Sequence, residues 1–189
     1  MNSFTPPCVL LVFLLCNVVK GSFTEEPSPP VSGGDASSAQ VPIVVSGIGM
    51  YDFSLPNFSV EFEIVMDLGG AASELSIVLY RPFFPNTAFS VTIKGSADAC
   101  PVGSLNVVVS DATAAETLTQ RCASGDNLGY ITGQYQTIHQ PPLSTFSLFG
   151  DGDQDGIANA DGTWTFLVQS TVNDGFGFDI KKVTLNFPM

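Results

Sequence analysis

Positive charge is what this sequence has least of. Its 189 residues include only six lysines and arginines against 18 aspartates and glutamates, so the formal net charge is −12. Nucleic acids and anionic lipid surfaces attract positively charged proteins. We therefore expect no nucleic-acid partner, and cations are the small ligands that this charge favours.

Long hydrophobic runs are also scarce, and the longest extends from Cys8 to Val19, broken only by Asn17. It is too short to cross a hydrocarbon core about 30 Å thick. Val19 and Gly21 fit cleavage after residue 21, so residues 1–21 are predicted to be a signal peptide and the protein to be secreted, with no membrane insertion after cleavage. A buried hydrophobic N-terminal element is the alternative.

Two features would matter in an exported chain, a cysteine pair and a glycosylation sequon. The chain has four cysteines, and cleavage after residue 21 would remove the first two. We predict a disulfide between the remaining Cys100 and Cys122, with two buried free thiols as the alternative. Asn57-Phe58-Ser59 is the one N-glycosylation sequon, so Asn57 is a candidate glycosylation site if its side chain is exposed.

Residues 22–40 differ in composition from the rest of the chain. They are rich in proline, serine, glycine and glutamate, and Phe23 and Val31 are their only large apolar residues. Such a segment buries little apolar surface to offset the entropy lost on ordering. We predict a flexible linker over residues 22–40, followed by one folded domain over residues 41–189.

The remainder has the pattern of an all-β protein. Residues 58–64 alternate apolar and polar side chains with a period of two, which is typical of a half-buried strand. Turn clusters of glycine, proline, asparagine and aspartate separate further short apolar runs, and only Asp111 to Leu118 has helical character. About eight strands with little helix predict an antiparallel β-sandwich. The predicted strands lie in residues 41–45, 58–64, 75–80, 88–93, 105–109, 164–168 and 180–187.

An aspartate-rich stretch, residues 151–161, is the sharpest local motif. Oxygen-bearing side chains stand at its first, third, fifth, ninth and eleventh places, and Gly156 stands at the sixth. Calcium prefers six to eight oxygen ligands, and a tight turn could bring these together. The twelfth place is Gly162 where an EF-hand has glutamate, and an exposed acidic turn without an ion is the alternative. The candidate calcium ligands are Asp151, Asp153, Asp155, the carbonyl of Ile157, Asn159 and Asp161.

Residues for catalysis are few. His139 is the only histidine, and no Gly-x-Ser-x-Gly motif marks an activated serine. A polar loop histidine is the simpler interpretation. Glu61 and Glu63 could form a carboxylate pair, but a solvated sheet face explains them better. We therefore predict no catalytic residues and no enzymatic activity.

Several segments, taken in order, resemble the P domain (P/Homo B domain), which follows the catalytic domain in kexin- and furin-like subtilisin proteases. The matching segments include Glu74 to Pro82, Pro142 to Phe146 and Gly162 to Val168, and they extend over about four fifths of the mature chain. The resemblance implies a jelly-roll-like, galactose-binding-like sandwich that supports a protease without supplying its catalytic triad. The chain departs from the pattern at Met66-Asp67, where the family has histidine and threonine, and in its aspartate-rich insertion.

These observations lead to two functional expectations. The first is a secreted, non-catalytic binding module with a calcium loop, acting on extracellular protein or glycan. The alternative is an accessory domain that supports a separately encoded subtilisin-like serine protease. An unrecognised hydrolase is a third, less favoured hypothesis.

Overall fold

The computed structural model of the protein describes residues 21–34, 36–53, 57–83, 87–95, 100–112, 116–124, 129–136, 143 and 157–188. These residues form twelve strands, one short helix, α1 (Leu118–Ala123), and a 3-10 turn (Ala72–Glu74). The strands are β1 (Gly21–Glu25), β2 (Val31–Gly33), β3 (Ser38–Val45), β4 (Met50–Asp52), β5 (Ser59–Met66), β6 (Leu75–Phe83), β7 (Thr87–Lys94), β8 (Ser104–Ser110), β9 (Tyr130–Gln136), β10 (Ile157–Asn159), β11 (Gly162–Ser170) and β12 (Phe178–Phe187).

Two main sheets form a sandwich, which confirms the predicted fold class. The six-stranded sheet has the order β1-β12-β5-β8-β9, with β2 also paired to β12, and the four-stranded sheet has the order β3-β11-β6-β7. β4 and β10 form a separate pair. The strand pairs are antiparallel except β8 with β9, which is parallel. The strand count exceeds the eight or so that were expected.

Each of the seven predicted strands is present, because the apolar side chains that marked them are buried in the core. In β5 every second residue is buried, starting from Val60, while Ser59, Glu61 and Glu63 are only partly buried. The helix, however, begins at Leu118, where the predicted one would end. Thr117 caps it by accepting a hydrogen bond from the backbone N–H of Gln120 at 3.1 Å.

Residues 22–40 contain paired strands where a flexible linker was predicted. β1 pairs along its full length with β12, β2 pairs with the other end of β12, and β3 begins at Ser38. Phe23 packs edge-on against Phe187 with ring centroids 5.9 Å apart. Backbone hydrogen bonds to β12 order this segment, although its side chains bury little apolar surface. The predicted signal peptide lies outside the described residues, apart from Gly21.

An aromatic cluster fills one end of the core between the sheets. Phe58 lies 5.4 Å from Phe53, 5.6 Å from Trp164 and 5.0 Å from Phe187 between ring centroids. Tyr51 joins the cluster and donates a hydrogen bond from its hydroxyl to the Pro188 carbonyl at 3.1 Å. Burial, with a smaller contribution from the charge of Asp52, raises the pKa of Tyr51 to about 12, so the hydroxyl remains a donor.

Cys100 and Cys122 form the predicted disulfide. Both cysteines are buried, and Cys122 lies in α1. The bond therefore joins the helix to the segment that precedes β8. No helix among the described residues is long and apolar enough to cross a membrane.

Candidate functional site

Asp161, a predicted calcium ligand, binds the backbone of a turn on another part of the chain. Its Oδ1 accepts hydrogen bonds from the N–H of Ile48 at 2.8 Å and of Gly49 at 3.2 Å. Burial raises the pKa of this carboxyl, but the N–H groups of the turn and the Arg81 charge outweigh it, so the pKa lies below its ordinary value of 3.8. The carboxylate thus holds the segment between β3 and β4.

Arg81 makes the second connection to this end of the aspartate-rich stretch. Its guanidinium donates to the carbonyls of Asn159 and Asp161 and lies 5.4 Å from the ring centroid of Trp164. Burial lowers the pKa of Arg81, while the charge of Asp161 opposes that effect. Gly162 has φ +134°, and a Cβ there would lie 3.3 Å from Arg81 Nη2. Glycine is therefore required where the guanidinium approaches the backbone.

These contacts give three of the six candidate calcium ligands a role within the fold. The Asn159 side chain accepts a hydrogen bond from the Asp161 N–H at 2.9 Å, and Ile157 begins β10 opposite Asp52. Asp151, Asp153 and Asp155 lie outside the described residues. Among the described residues, no cluster of three or more acidic, histidine or cysteine side chains forms a metal site.

The candidate catalytic residues do not come together in the described part of the chain. His139 lies outside it. Glu61 accepts a hydrogen bond from Lys182 Nζ at 2.7 Å, and both side chains are about one third exposed. The hydrogen bond to Glu61, reinforced by the charge of that carboxylate, raises the pKa of Lys182. Glu61 therefore lies on a solvated sheet face, as the alternation of β5 indicated.

Hydroxyl and amide side chains predominate on the outer face of the six-stranded sheet. The strand registers align one residue from each of five strands into a single polar row. Two hydrogen bonds connect its first members, from Ser22 Oγ to Asn186 Oδ1 at 2.8 Å and from Asn186 Nδ2 to Ser59 Oγ at 3.4 Å. The row consists of Ser22, Asn186, Ser59, Ser110 and Gln136.

A surface cavity of about 280 Å³ lies at one end of this face. It brings together β5, β8 and β9 with the residues just beyond the ends of β5, β8 and β12. Hydroxyl and amide groups line it beside small apolar surfaces, and its described lining carries no charged side chain. The lining residues are Asn57, Ser59, Val108, Ser110, Ala112, Gln134 and Pro188.

The alternation of β9 turns Gln134 outward into this cavity. Ile131 and Tyr135 are buried, whereas Gln134 is exposed. The Tyr135 hydroxyl donates to the Thr132 carbonyl at 2.8 Å, and Gly133 between them has φ +128°. Burial raises the pKa of Tyr135. Sequence reasoning missed this strand, because only two of its seven residues are buried and a glycine interrupts it.

The outer face of the four-stranded sheet has a different character. None of the described side chains on it is charged, although the whole chain carries a net charge of −12. Val44 is 62% exposed at one edge, and Leu167 and Val78 face each other near the centre. The described residues of this uncharged face are Ser38, Gln40, Pro42, Val44, Ser76, Val78, Tyr80, Ser90, Thr92, Thr163, Thr165, Leu167 and Gln169.

No protein-family model, curated protein or solved structure matches the chain. The resemblance to the P domain therefore stays a prediction, and the functional argument depends on the chain's own residues.

Proposed function

We propose that the protein is a secreted, non-catalytic module that binds neutral glycans at the cavity on its six-stranded sheet. The observation that carries the proposal is the chemistry of the cavity lining. Ser59, Ser110 and Gln134 offer hydrogen-bond donors and acceptors, as sugar hydroxyls require. Val108 and Pro188 offer apolar surface for the C–H face of a sugar ring.

The negative charge of the protein limits the class of glycan that it can bind. The molecule is strongly acidic, so sulfated or sialylated sugars would meet long-range repulsion. Glu61, which lies opposite the lining residue Val108 in the strand register, is paired with Lys182 at 2.7 Å, so its charge is neutralised. Uncharged hexoses and N-acetylhexosamines fit both the lining and the overall charge.

The test uses unglycosylated mature chain, residues 22–189, made in a bacterial periplasm. A panel of neutral and acidic oligosaccharides identifies ligands, and calorimetry measures their affinities. Gln134→Ala should weaken binding five- to tenfold, because the loss of about one hydrogen bond costs about 1 kcal/mol. Gln169→Ala removes a matched glutamine from the uncharged face and should leave affinity unchanged. Absence of neutral-glycan binding, or equal losses in both variants, would contradict the proposal.

Calcium binding is a further part of the proposed function, now confined to Asp151, Asp153 and Asp155. Their spacing supports it, whereas Asp161 is engaged with the 47–49 turn. Calorimetric titration of the mature protein with calcium should show binding that the double variant Asp153→Ala, Asp155→Ala abolishes. Asp161→Asn should leave the calcium affinity intact. Titrations without heat, and a melting temperature unchanged by chelator, would refute the calcium site.

A second candidate function is docking to a protein, and the uncharged face favours it. Interfaces of proteins are depleted in charged residues at their core. In line with the P-domain resemblance, the partner would be a separately encoded subtilisin-like protease. Mixing the chain with such a protease lacking a P domain should raise the melting temperature of the protease. Leu167→Glu should abolish that gain, and Gln134→Glu should preserve it; no gain with the wild-type chain would count against docking.

A further inference from the structure

We infer that an N-glycan on Asn57 places its first N-acetylglucosamine in the cavity and thereby blocks the cavity to other glycans. The inference rests on the proposed function, because it assigns a regulator to the same site. It starts from the position of the sequon, whose Asn57 and Ser59 both line the cavity.

The local backbone aims the sequon asparagine at the cavity. Phe58 is 2% exposed and is held in the aromatic cluster by Trp164 and Phe187. Asn57 is exposed and lies in a turn two residues before β5, whereas Ser59 begins the outward-facing row of that strand. Both side chains line the cavity. The buried Phe58 between them anchors this segment, so a sugar on Asn57 begins at the cavity rim.

The size of the cavity suits one sugar ring. Its volume of about 280 Å³ is just below the range of about 300–1,000 Å³ that pockets for drug-sized ligands occupy. A single N-acetylglucosamine carries hydroxyls and an acetamide for Ser110 and Gln134, and a C–H face for Val108. The remainder of the glycan would extend into solvent.

Attachment makes occupancy by this sugar favourable even if its intrinsic affinity is low. A ligand on a short tether acts at an effective concentration in the millimolar range, without loss of the translational entropy that a free sugar pays. Free glycans with millimolar dissociation constants would therefore be displaced. Glycosylation of Asn57 would decide whether the cavity is open, so that only chains lacking this modification bind external glycans through it.

The experiment compares three forms of the same chain: secreted glycoprotein, glycoprotein trimmed by an endoglycosidase to one N-acetylglucosamine, and unglycosylated wild type from bacterial periplasm. Mass spectrometry should locate the glycan on Asn57. The intact and trimmed forms should share a melting temperature above that of the unglycosylated form. The unglycosylated form should bind the best neutral oligosaccharide of the panel at least tenfold more tightly than the other two.

A variant separates a seated sugar from a general effect of glycosylation. Gln134→Ala should reduce the gain in melting temperature that the trimmed sugar provides, whereas Gln169→Ala should preserve the full gain. An unmodified Asn57 in the secreted protein, or identical melting temperatures in all three forms, would overturn the inference. The two proposals can also fail separately. If the unglycosylated form binds no free glycan, the proposed function is wrong. If the sugar on Asn57 still raises the melting temperature and Gln134→Ala reduces that rise, the placement of the sugar in the cavity is supported.

Discussion

At the scale of single residues, Asp161 shows that the spacing of a motif does not determine the partners of its side chains. Its spacing within residues 151–161 is that of a cation ligand, yet its carboxylate accepts backbone N–H groups from the 47–49 turn. A carboxylate satisfies orphan N–H donors as readily as it binds a cation, and the sequence pattern alone does not distinguish the two. The sequence did not indicate the role of Arg81 beside it, because the partners of Arg81 are backbone carbonyls 78 and 80 residues away.

Asp161→Asn should lower the free energy of unfolding by about 1–2 kcal/mol at pH 7, since the N–H groups of Ile48 and Gly49 would then donate to a neutral amide oxygen in place of a carboxylate. The pKa of Asp161 is lower in the folded protein than its ordinary 3.8. Its contribution is therefore fully present above that value and disappears as the pH falls through the folded pKa. Urea denaturation followed by the emission of Trp164, the only tryptophan, measures both effects. A difference between wild type and variant that stays constant as the pH is lowered from neutral into the acid range would contradict this assignment.

Gly162→Ala should destabilise the protein by about 1–3 kcal/mol, because φ of +134° is strained for alanine and the added Cβ crowds Arg81. Gly34→Ala is the matched control, since its Cβ would meet no atom within 4 Å. Thermal melts of the two variants should differ clearly in midpoint. Equal midpoints would mean that the Arg81 contact does not restrict this position.

At the scale of elements, the strands rich in large apolar side chains were predictable and the strands poor in them were not. β5 buries every second side chain, and β12 buries Val183, Leu185 and Phe187 after a bulge between Ile180 and Lys182. β1, β2 and β9 are rich in small or polar residues, and their order comes from backbone pairing with β12 and β8. Backbone hydrogen bonds do not depend on side-chain type, which is why composition assigned residues 22–40 to a flexible linker.

The pairing of β1 with β12 gives a direct test. Amides of Thr24 and neighbouring residues that bond to β12 should be protected from hydrogen exchange, and a flexible linker would exchange them at random-coil rates. Phe23→Ala should cost about 1–2 kcal/mol, since Phe23 is partly buried against Phe187. Val31→Ala provides a smaller truncation in β2 for comparison. Unprotected β1 amides would show that this strand is not paired in solution.

At the scale of the whole molecule, the disulfide and the core of aromatic and branched side chains both stabilise the fold. The disulfide joins residues 22 positions apart and fixes α1, whose main strand neighbour is β9, an edge of the six-stranded sheet. β9 supplies Gln134 to the cavity, so the cavity wall depends on this edge. The two-layer core of aromatic and branched side chains holds the remainder.

Cys100→Ala with Cys122→Ala should reduce the free energy of unfolding by about 3 kcal/mol, the loop entropy expected for a bond of this span. It should also weaken neutral-glycan binding at the cavity, since the disulfide fixes α1 against β9 and β9 carries Gln134. Chemical denaturation and calorimetry provide the two measurements. A variant with wild-type stability would mean that the disulfide contributes nothing to the fold.

The amino-acid sequence by itself determined the all-β class, seven strands and the pairing of two cysteines. These follow from local periodicity and composition, which a linear chain displays directly. Only the tertiary structure decided that β5 lies between β12 and β8, that Arg81 reaches the end of the aspartate-rich stretch, and that a polar cavity forms beside Asn57. Strand neighbours are chosen by non-local packing, and the cavity joins residues from positions 57 to 188, so no local pattern records it.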